Sequence, residues 1–410
     1  MDHDRLAKIV ARYGTPCFVF DEASLAQRMR AIREIAGERV RLCYSIKANP
    51  FLIPAMQAHT QLLEVCSPGE LTICESLGVP MERVLLSGVN KTVLDIAHAM
   101  DAGVRLFTAE SPLHVSLLNN AARARGIVVP VLLRLTAGTQ FGMDERDVLD
   151  ILAHRAGYTG LRFTGLHYFA GTQRKKLQEQ LSELEMLGAF MDRLQSELGF
   201  ACEELEYGPG LYFPYFAHED GSDTLAPLRE LAPALHAMAE RVHLTVEMGR
   251  FFASECGTYL TAVADTKVNR GTAYAILDGG VHHVNYLGGN MGMRVPRMTL
   301  LPGASHVSAC PNAPGCDSAA TCLNARPETL DWTLCGSLCT TADVLVRRVS
   351  LTGLARGDVL AFENIGAYSV TEAPALFLSR DMPRVILADE NGERLARDTV
   401  HSSSLNCPQA

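Results

Sequence analysis

Long apolar runs, dense basic stretches and tight Cys-x-x-Cys pairs are all missing from this 410-residue chain, and each absence closes off a class of function. Without an apolar run long enough to cross a bilayer, an integral membrane role is not expected. The N-terminus, Met1-Asp2-His3-Asp4-Arg5-Leu6-Ala7-Lys8, puts acids where a secretory signal needs an unbroken apolar core, so the expected location is cytoplasmic. Lysines and arginines number 37 against 46 aspartates and glutamates, a formal charge of −9. They form no stripe that would neutralise a phosphate backbone, so nucleic acid is not an expected partner. The chain has twelve cysteines, and Cys17, Cys43, Cys66, Cys74, Cys202, Cys256 and Cys407 lie singly in predicted strands, helices or the C-terminal tail. They read as reduced, mostly buried thiols. Cys310, Cys316 and Cys322 recur every six residues in a Pro/Gly/Asn-rich loop ahead of Cys335 and Cys339. That spacing is unlike a zinc site, so the loop reads as an ordinary insertion and no metal is expected. There is also no solenoid-length repeat and no low-complexity linker.

What is present is a globular composition, 48% hydrophobic and 20% charged, on a chain long enough for two domains. Over the first 250 residues, β-branched apolar runs alternate with amphipathic helical stretches, the pattern of βα units around a parallel sheet. Strands are predicted at 40–46, 62–66, 83–88, 105–108, 128–135, 161–168, 204–207 and 243–247. Eight βα repeats imply a closed (β/α)8 barrel. The clearest helix is 177–198, where Leu177, Leu181, Leu184, Leu187, Phe190 and Leu194 recur at three- and four-residue steps. After Arg250 the texture changes to short strands with glycine turns, among them 258–263, 273–277, 343–350 and 358–363, which reads as an all-β domain. The expected division is a barrel at 22–255 and a β domain made of 1–21 and 256–410.

In such a barrel, chemistry collects where strands end. Lys47 stands just where the apolar strand Cys43-Tyr44-Ser45-Ile46 stops. Alone it reads as an exposed strand-end lysine. Three further strands end in unusual residues: Gly165-Leu166-His167-Tyr168, Tyr207-Gly208-Pro209-Gly210 and Val246-Glu247-Met248-Gly249-Arg250.

With Tyr44-Ser45-Ile46-Lys47-Ala48-Asn49, Glu64-Val65-Cys66-Ser67-Pro68-Gly69-Glu70-Leu71, Gly336-Ser337-Leu338-Cys339 and Gly366-Ala367-Tyr368, these segments in this order resemble the fold-type III pyridoxal-phosphate decarboxylases. That family pairs an alanine-racemase-like barrel with a β domain and includes the ornithine, arginine and diaminopimelate decarboxylases. The resemblance implies pyridoxal 5'-phosphate as cofactor, with Lys47 as its covalent anchor. Glu247 is expected at the pyridine nitrogen, where a carboxylate favours the protonated ring and so a strong electron sink. An arginine there is the racemase pattern. Its bland reading is a strand-end carboxylate paired with Arg250. His167 matches the histidine that stacks on the ring. Gly208, Gly210, Gly249, Arg250 and Tyr368 match the phosphate-holding residues, with Pro209 removing one N–H from a loop that usually carries three glycines. Glu64, Ser67 and Arg134 line the same mouth. Cys339 matches the cysteine that a partner subunit contributes to protonate Cα, which implies a homodimer with shared active sites. The other reading is a buried structural cysteine.

Where an acid follows that cysteine in the ornithine and diaminopimelate enzymes, this chain has Thr340. A substrate ammonium would lose its partner there. The segments Cys339-Thr340-Thr341-Ala342-Asp343-Val344, Thr139-Gln140-Phe141-Gly142 and Asp278-Gly279-Gly280-Val281-His282-His283 are similar to the branch from siderophore and antibiotic pathways, of the butirosin type. That branch implies an amino acid that is acylated or tethered to a carrier protein. Arg250, Thr340, Tyr368, His282 and His283 are the candidate substrate contacts, with a β-domain turn as the second reading of the two histidines. Three alternatives stand: a diaminopimelate or lysine/ornithine decarboxylase that holds its distal amine through Glu363 or Asp343, an amino-acid racemase, and a non-catalytic cofactor-binding protein.

Overall fold

The computed structural model describes residues 1–287, 292–303 and 329–408, so Cys310, Cys316 and Cys322 fall outside the described residues. The chain divides into two compact units. One comprises Met1–Leu25, Pro214–Ser222 and Ala253–Ala410, and the other Ala26–Phe213 and Asp223–Phe252.

The first unit opens with helix His3–Tyr13, which starts where Asp2 accepts the Arg5 N–H at 2.8 Å and which buries Leu6, Ile9 and Val10 on one face. Strand β1, Cys17–Asp21, follows. The second unit supplies β2 Arg41–Ser45, β3 Leu62–Val65, β4 Val84–Leu86, β5 Leu106–Ala109, β6 Val129–Arg134, β7 Leu161–Phe169, β8 Glu204–Gly208 and β9 His243–Met248. All neighbours are parallel and the set closes into a barrel. Helix Leu177–Leu198 buries Leu184, Leu187, Phe190, Met191 and Leu194 at helical spacing, and it ends at Gly199 in the left-handed conformation that glycine adopts without strain.

The remaining strands belong to the first unit. They are β10 Gly257–Asn269, β11 Thr272–Leu277, β12 Met298–Leu301, β13 Thr329–Cys335, β14 Val344–Thr352, β15 Val359–Glu363, β16 Arg384–Asp389 and β17 Gly392–Arg397. They form one sheet with β1 in the order β14-β13-β11-β10-β1-β16-β17, and β15 bridges β10 and β12. β1 is parallel to β16 and antiparallel to β10, so the N-terminal segment is stitched into the middle of a sheet built from the last third of the chain. Its core packs Leu6, Ile9 and Val10 of the first helix against Val19, Leu260, Val359 and Ile386. Each such side chain contributes about 1.5–3 kcal/mol when fully buried.

Candidate active site

Parallel register with a side-chain period of two places residues from different strands at one level of a barrel. Here Ser45 of β2 lies beside Glu64 of β3, Cys43 of β2 beside Glu247 of β9, Arg134 of β6 beside His167 of β7, and His167 beside Glu206 of β8. Acids scattered along the sequence thereby become neighbours.

Lys47 sits in the short 3-10 turn Ile46–Ala48, directly after β2. Its Nζ lies 2.9 Å from Glu64 Oε2 and 3.4 Å from Cys66 Sγ, while the Cys66 thiol donates to Glu64 Oε1 at 3.3 Å. Burial, the largest single influence, would raise the Glu64 carboxyl, but the Lys47 ammonium, the hydrogen bonds from Ser45 and Lys47 and the field of His167 together outweigh it, so Glu64 stays well below the usual carboxylate range. The Cys66 thiol is pushed up by burial and by Glu64.

A second cluster gathers His167, Glu206 and Glu247, whose ligand atoms all lie within 4.8 Å of one another. His167 Nε2 meets Glu247 Oε1 at 3.2 Å. Among the described residues, His167 Nδ1 and Glu247 Oε2 are buried without a hydrogen-bond partner, and buried Glu206 has only the Cys43 thiol against its carboxyl. Burial first, then the charges of Glu247 and Glu64, push the Glu206 carboxyl well above its ordinary value. A cation held by the three would need both carboxylates ionised, which that burial opposes.

The glycine loop after β8 is sterically required. A Cβ on Gly208 would stand 2.5 Å from the Phe169 ring and 2.7 Å from Glu247 Oε1, and one on Gly210 would overlap the Gly171 carbonyl oxygen. The carbonyl of Pro209 accepts from Gln180 Nε2 at 2.9 Å. Buried Gly249 and then Arg250 follow β9 directly, and Arg250 Nε donates to Thr172 Oγ1 at 3.3 Å. Arg134 is tied to Glu110 at 2.6 Å and lies over the Phe141 ring. Ser67 stays exposed and caps helix Pro68–Ser76 by accepting the Glu70 N–H at 3.2 Å, so its hydroxyl is used locally.

In the β unit, exposed Cys339 lies in the loop between β13 and β14. The loop is pinned by Asp343, which accepts the Val281 N–H at 2.9 Å and the Leu338 N–H at 2.7 Å. Gly280 and Gly336 leave room for this carboxylate, because a Cβ on either would collide with it. Asp343 is therefore engaged by the fold, and Glu363 Oε1 accepts from Thr299 at 2.9 Å. Thr340 Oγ1 accepts the Ala342 N–H at 3.3 Å.

His283 is buried, with Nδ1 accepting from the Tyr259 hydroxyl at 2.9 Å and Nε2 donating to the Asp381 carbonyl at 3.0 Å. Burial, then the His282 ring, lower it to about 3, so it is a neutral structural residue. The His282 ring lies 3.8 Å from that of His283, and neither of its nitrogens has a hydrogen-bond partner among the described residues. Tyr368 takes φ +68, an unusual conformation for a bulky residue.

Glu206, Glu110, Gln180 and Lys91 carry no local motif, and the strand-end reading missed them. The available signal was a charged residue inside an apolar run, as in Leu205-Glu206-Tyr207. Lys91 is buried, and desolvation lowers its ammonium to about 8 against the opposing field of Glu110.

Residues 22–254 match the family model described as pyridoxal-dependent decarboxylase, pyridoxal binding domain. The chain is 24% identical over 420 residues to the L-glutamyl-[BtrI acyl-carrier protein] decarboxylase of Niallia circulans, covering 97% of this chain and 94% of that protein. It is 25% identical to the diaminopimelate decarboxylase of Zymomonas mobilis, covering 96% and 92% of the two chains. Among solved structures, the M. jannaschii diaminopimelate decarboxylase in complex with L-lysine superposes with a TM-score of 0.82 at 21% identity, covering 98% of this chain and 93% of that one. SrLDC in complex with PLP and cadaverine superposes at 0.79, again at 21% identity, covering 94% of each chain.

Proposed function

The chain belongs to the pyridoxal-dependent decarboxylases, and from that premise we propose that it removes the α-carboxylate of an amino acid carried on a larger acyl or carrier-protein group. The rim of the barrel fits the cofactor. Glu247 Oε2 is a buried carboxylate oxygen awaiting a partner, and the glycines at 208 and 210 keep side chains out of the loop where an anion must approach the backbone. Lys47 is the covalent anchor, with Glu64 orienting its Nζ. Glu247 would serve the ring nitrogen, His167 would contact the ring, and Gly208, Gly210, Gly249, Arg250 and Tyr368 would hold the phosphate. Arg134, fixed by Glu110, and Ser67 border the site. Bound there, the cofactor supplies the sink for the electron pair left on Cα when the carboxylate departs as carbon dioxide. Cys339, from the partner subunit of a homodimer, returns a proton to Cα.

The observation that carries the substrate class is Thr340, together with the commitment of Asp343 to two backbone N–H groups. Thr340 offers an amine no charge partner, and Asp343 already binds two backbone donors. The activity named for the Niallia circulans relative points the same way. A diaminopimelate substrate is the second reading, favoured by several relatives of that name. Carbon dioxide release from purified holoenzyme decides between them. Release from carrier-bound or N-acylated amino acids and none from free diaminopimelate, lysine or ornithine is expected. The opposite pattern would transfer the assignment to the second reading.

A further inference from the structure

Glu206 lies one strand from each of the two residues that flank it: it registers with His167 on β7, and β9 runs along its other side carrying Glu247 two residues beyond Thr245, the register partner of Glu206. All three side chains are more than nine-tenths buried. The cluster contains two carboxyl groups and a single imidazole within 4.8 Å, and Lys47, just after β2, is already engaged by Glu64. Arg41, whose field reaches Glu206, is paired with Glu204 at 3.0 Å. The other groups facing Glu206 are Cys43, whose thiol burial and surrounding acids keep protonated, and the anionic Glu64. Two carboxylates this close in a dry site cannot both ionise without a large electrostatic cost, so a proton must stay on one of them.

From this geometry we infer that Glu206 is a positioning residue, a neutral carboxylic acid that keeps the shared proton and leaves the negative charge on Glu247. The asymmetry comes from the partners. Glu247 has the His167 Nε2 contact to stabilise an anion, whereas Glu206 has only the Cys43 thiol, a weak donor, against its carboxyl. A second negative charge at Glu206 would compete with Glu247 for the ring proton, and a neutral acid does not. This consequence rests on the proposed placement of the cofactor ring at Glu247, whereas the protonation state itself does not.

Infrared difference spectroscopy of the holoenzyme at neutral pH, wild type against Glu206→Gln, tests the inference. The expected result is loss of a C=O stretch of a protonated carboxylic acid in the variant, with the pH dependence of the cofactor absorbance unchanged. If no such band is lost, Glu206 is ionised and the inference fails. It also fails if the variant's absorbance profile moves along the pH axis, because substituting an already neutral group leaves the charge at the ring the same. Should Glu206→Gln not fold, Glu247→Gln gives an independent reading. Removing the neighbouring charge must let the Glu206 band disappear at lower pH than in the wild type, and an unmoved band overturns the coupling. The band belongs to the barrel itself, so a protein that shows it yet decarboxylates nothing would refute the proposed function and leave this inference intact.

Discussion

The His167–Glu206–Glu247 cluster of the barrel and the Asp343–His283 framework of the β unit treat their buried polar groups in opposite ways. In the barrel, His167 Nδ1 and Glu247 Oε2 are buried without partners among the described residues, and Glu206 has only the Cys43 thiol. In the β unit, Asp343 spends its carboxylate on the Val281 and Leu338 N–H groups, and His283 spends both nitrogens on Tyr259 and Asp381. An unsatisfied buried polar atom costs about 1–3 kcal/mol, so a fold keeps several in one place only where something else satisfies them. A satisfied carboxylate that two glycines make room for is part of the framework. On the proposed function, the difference separates residues that serve a ligand from residues that serve the chain.

Breaking that distinction requires a substitution whose effect falls on the wrong side. The largest expected effect is from Glu247→Gln, which removes the buried anion and changes little in the packing. Turnover should fall roughly 10²–10³-fold, the scale seen when one preorganised electrostatic group is lost, with the denaturation midpoint nearly unchanged. Steady-state kinetics beside urea unfolding would check it. A large loss of stability with modest loss of turnover would make Glu247 structural.

Asp343→Ala should behave in the reverse manner. It orphans two backbone donors, so unfolding of the β unit should become easier by about 2–4 kcal/mol, while cofactor binding to the barrel is kept. Loss of cofactor with unchanged stability would erase the contrast between the regions.

A smaller effect separates two buried acids within the barrel. Glu64 has its carboxyl lowered in the folded state, so its contribution to stability is present above the ordinary carboxylate range and is lost as pH falls below it. Glu206 has its carboxyl raised, so its effect has the opposite sign. The folded state binds one proton more than the unfolded state, and stability declines as pH climbs above the unfolded carboxyl value. Glu206→Gln should flatten that decline, with the gap from wild type widening toward alkaline pH in urea titrations. An unchanged slope would mean that Glu206 titrates normally.

The barrel was legible because short, mostly apolar strands alternate with amphipathic helices, and all eight predicted strands fall within a few residues of β2–β9. The β unit was read less completely. β12 is half-exposed over three of its four residues and β17 is mostly exposed or half-buried, so neither shows the alternation that marks a strand. Their pairing comes from partners far along the chain, as when β1 takes its place beside β16. In the site, Lys47, His167, Gly208 and Glu247 were visible because each closes an apolar strand. Glu206 was not, because only its register with His167 gives it meaning, and Lys91 was hidden in a loop that burial, rather than spacing, makes unusual.

Lys91 also supplies the sharpest rival to the central assignment, being a buried amine whose desolvation already lowers it to about 8. Borohydride reduction of the purified holoenzyme, followed by proteolysis and mass spectrometry, locates the cofactor directly. The expected result is a pyridoxyl adduct on the peptide containing Lys47, absent in Lys47→Ala. An adduct on Lys91, or one that survives Lys47→Ala, would contradict the assignment of Lys47 as the anchor.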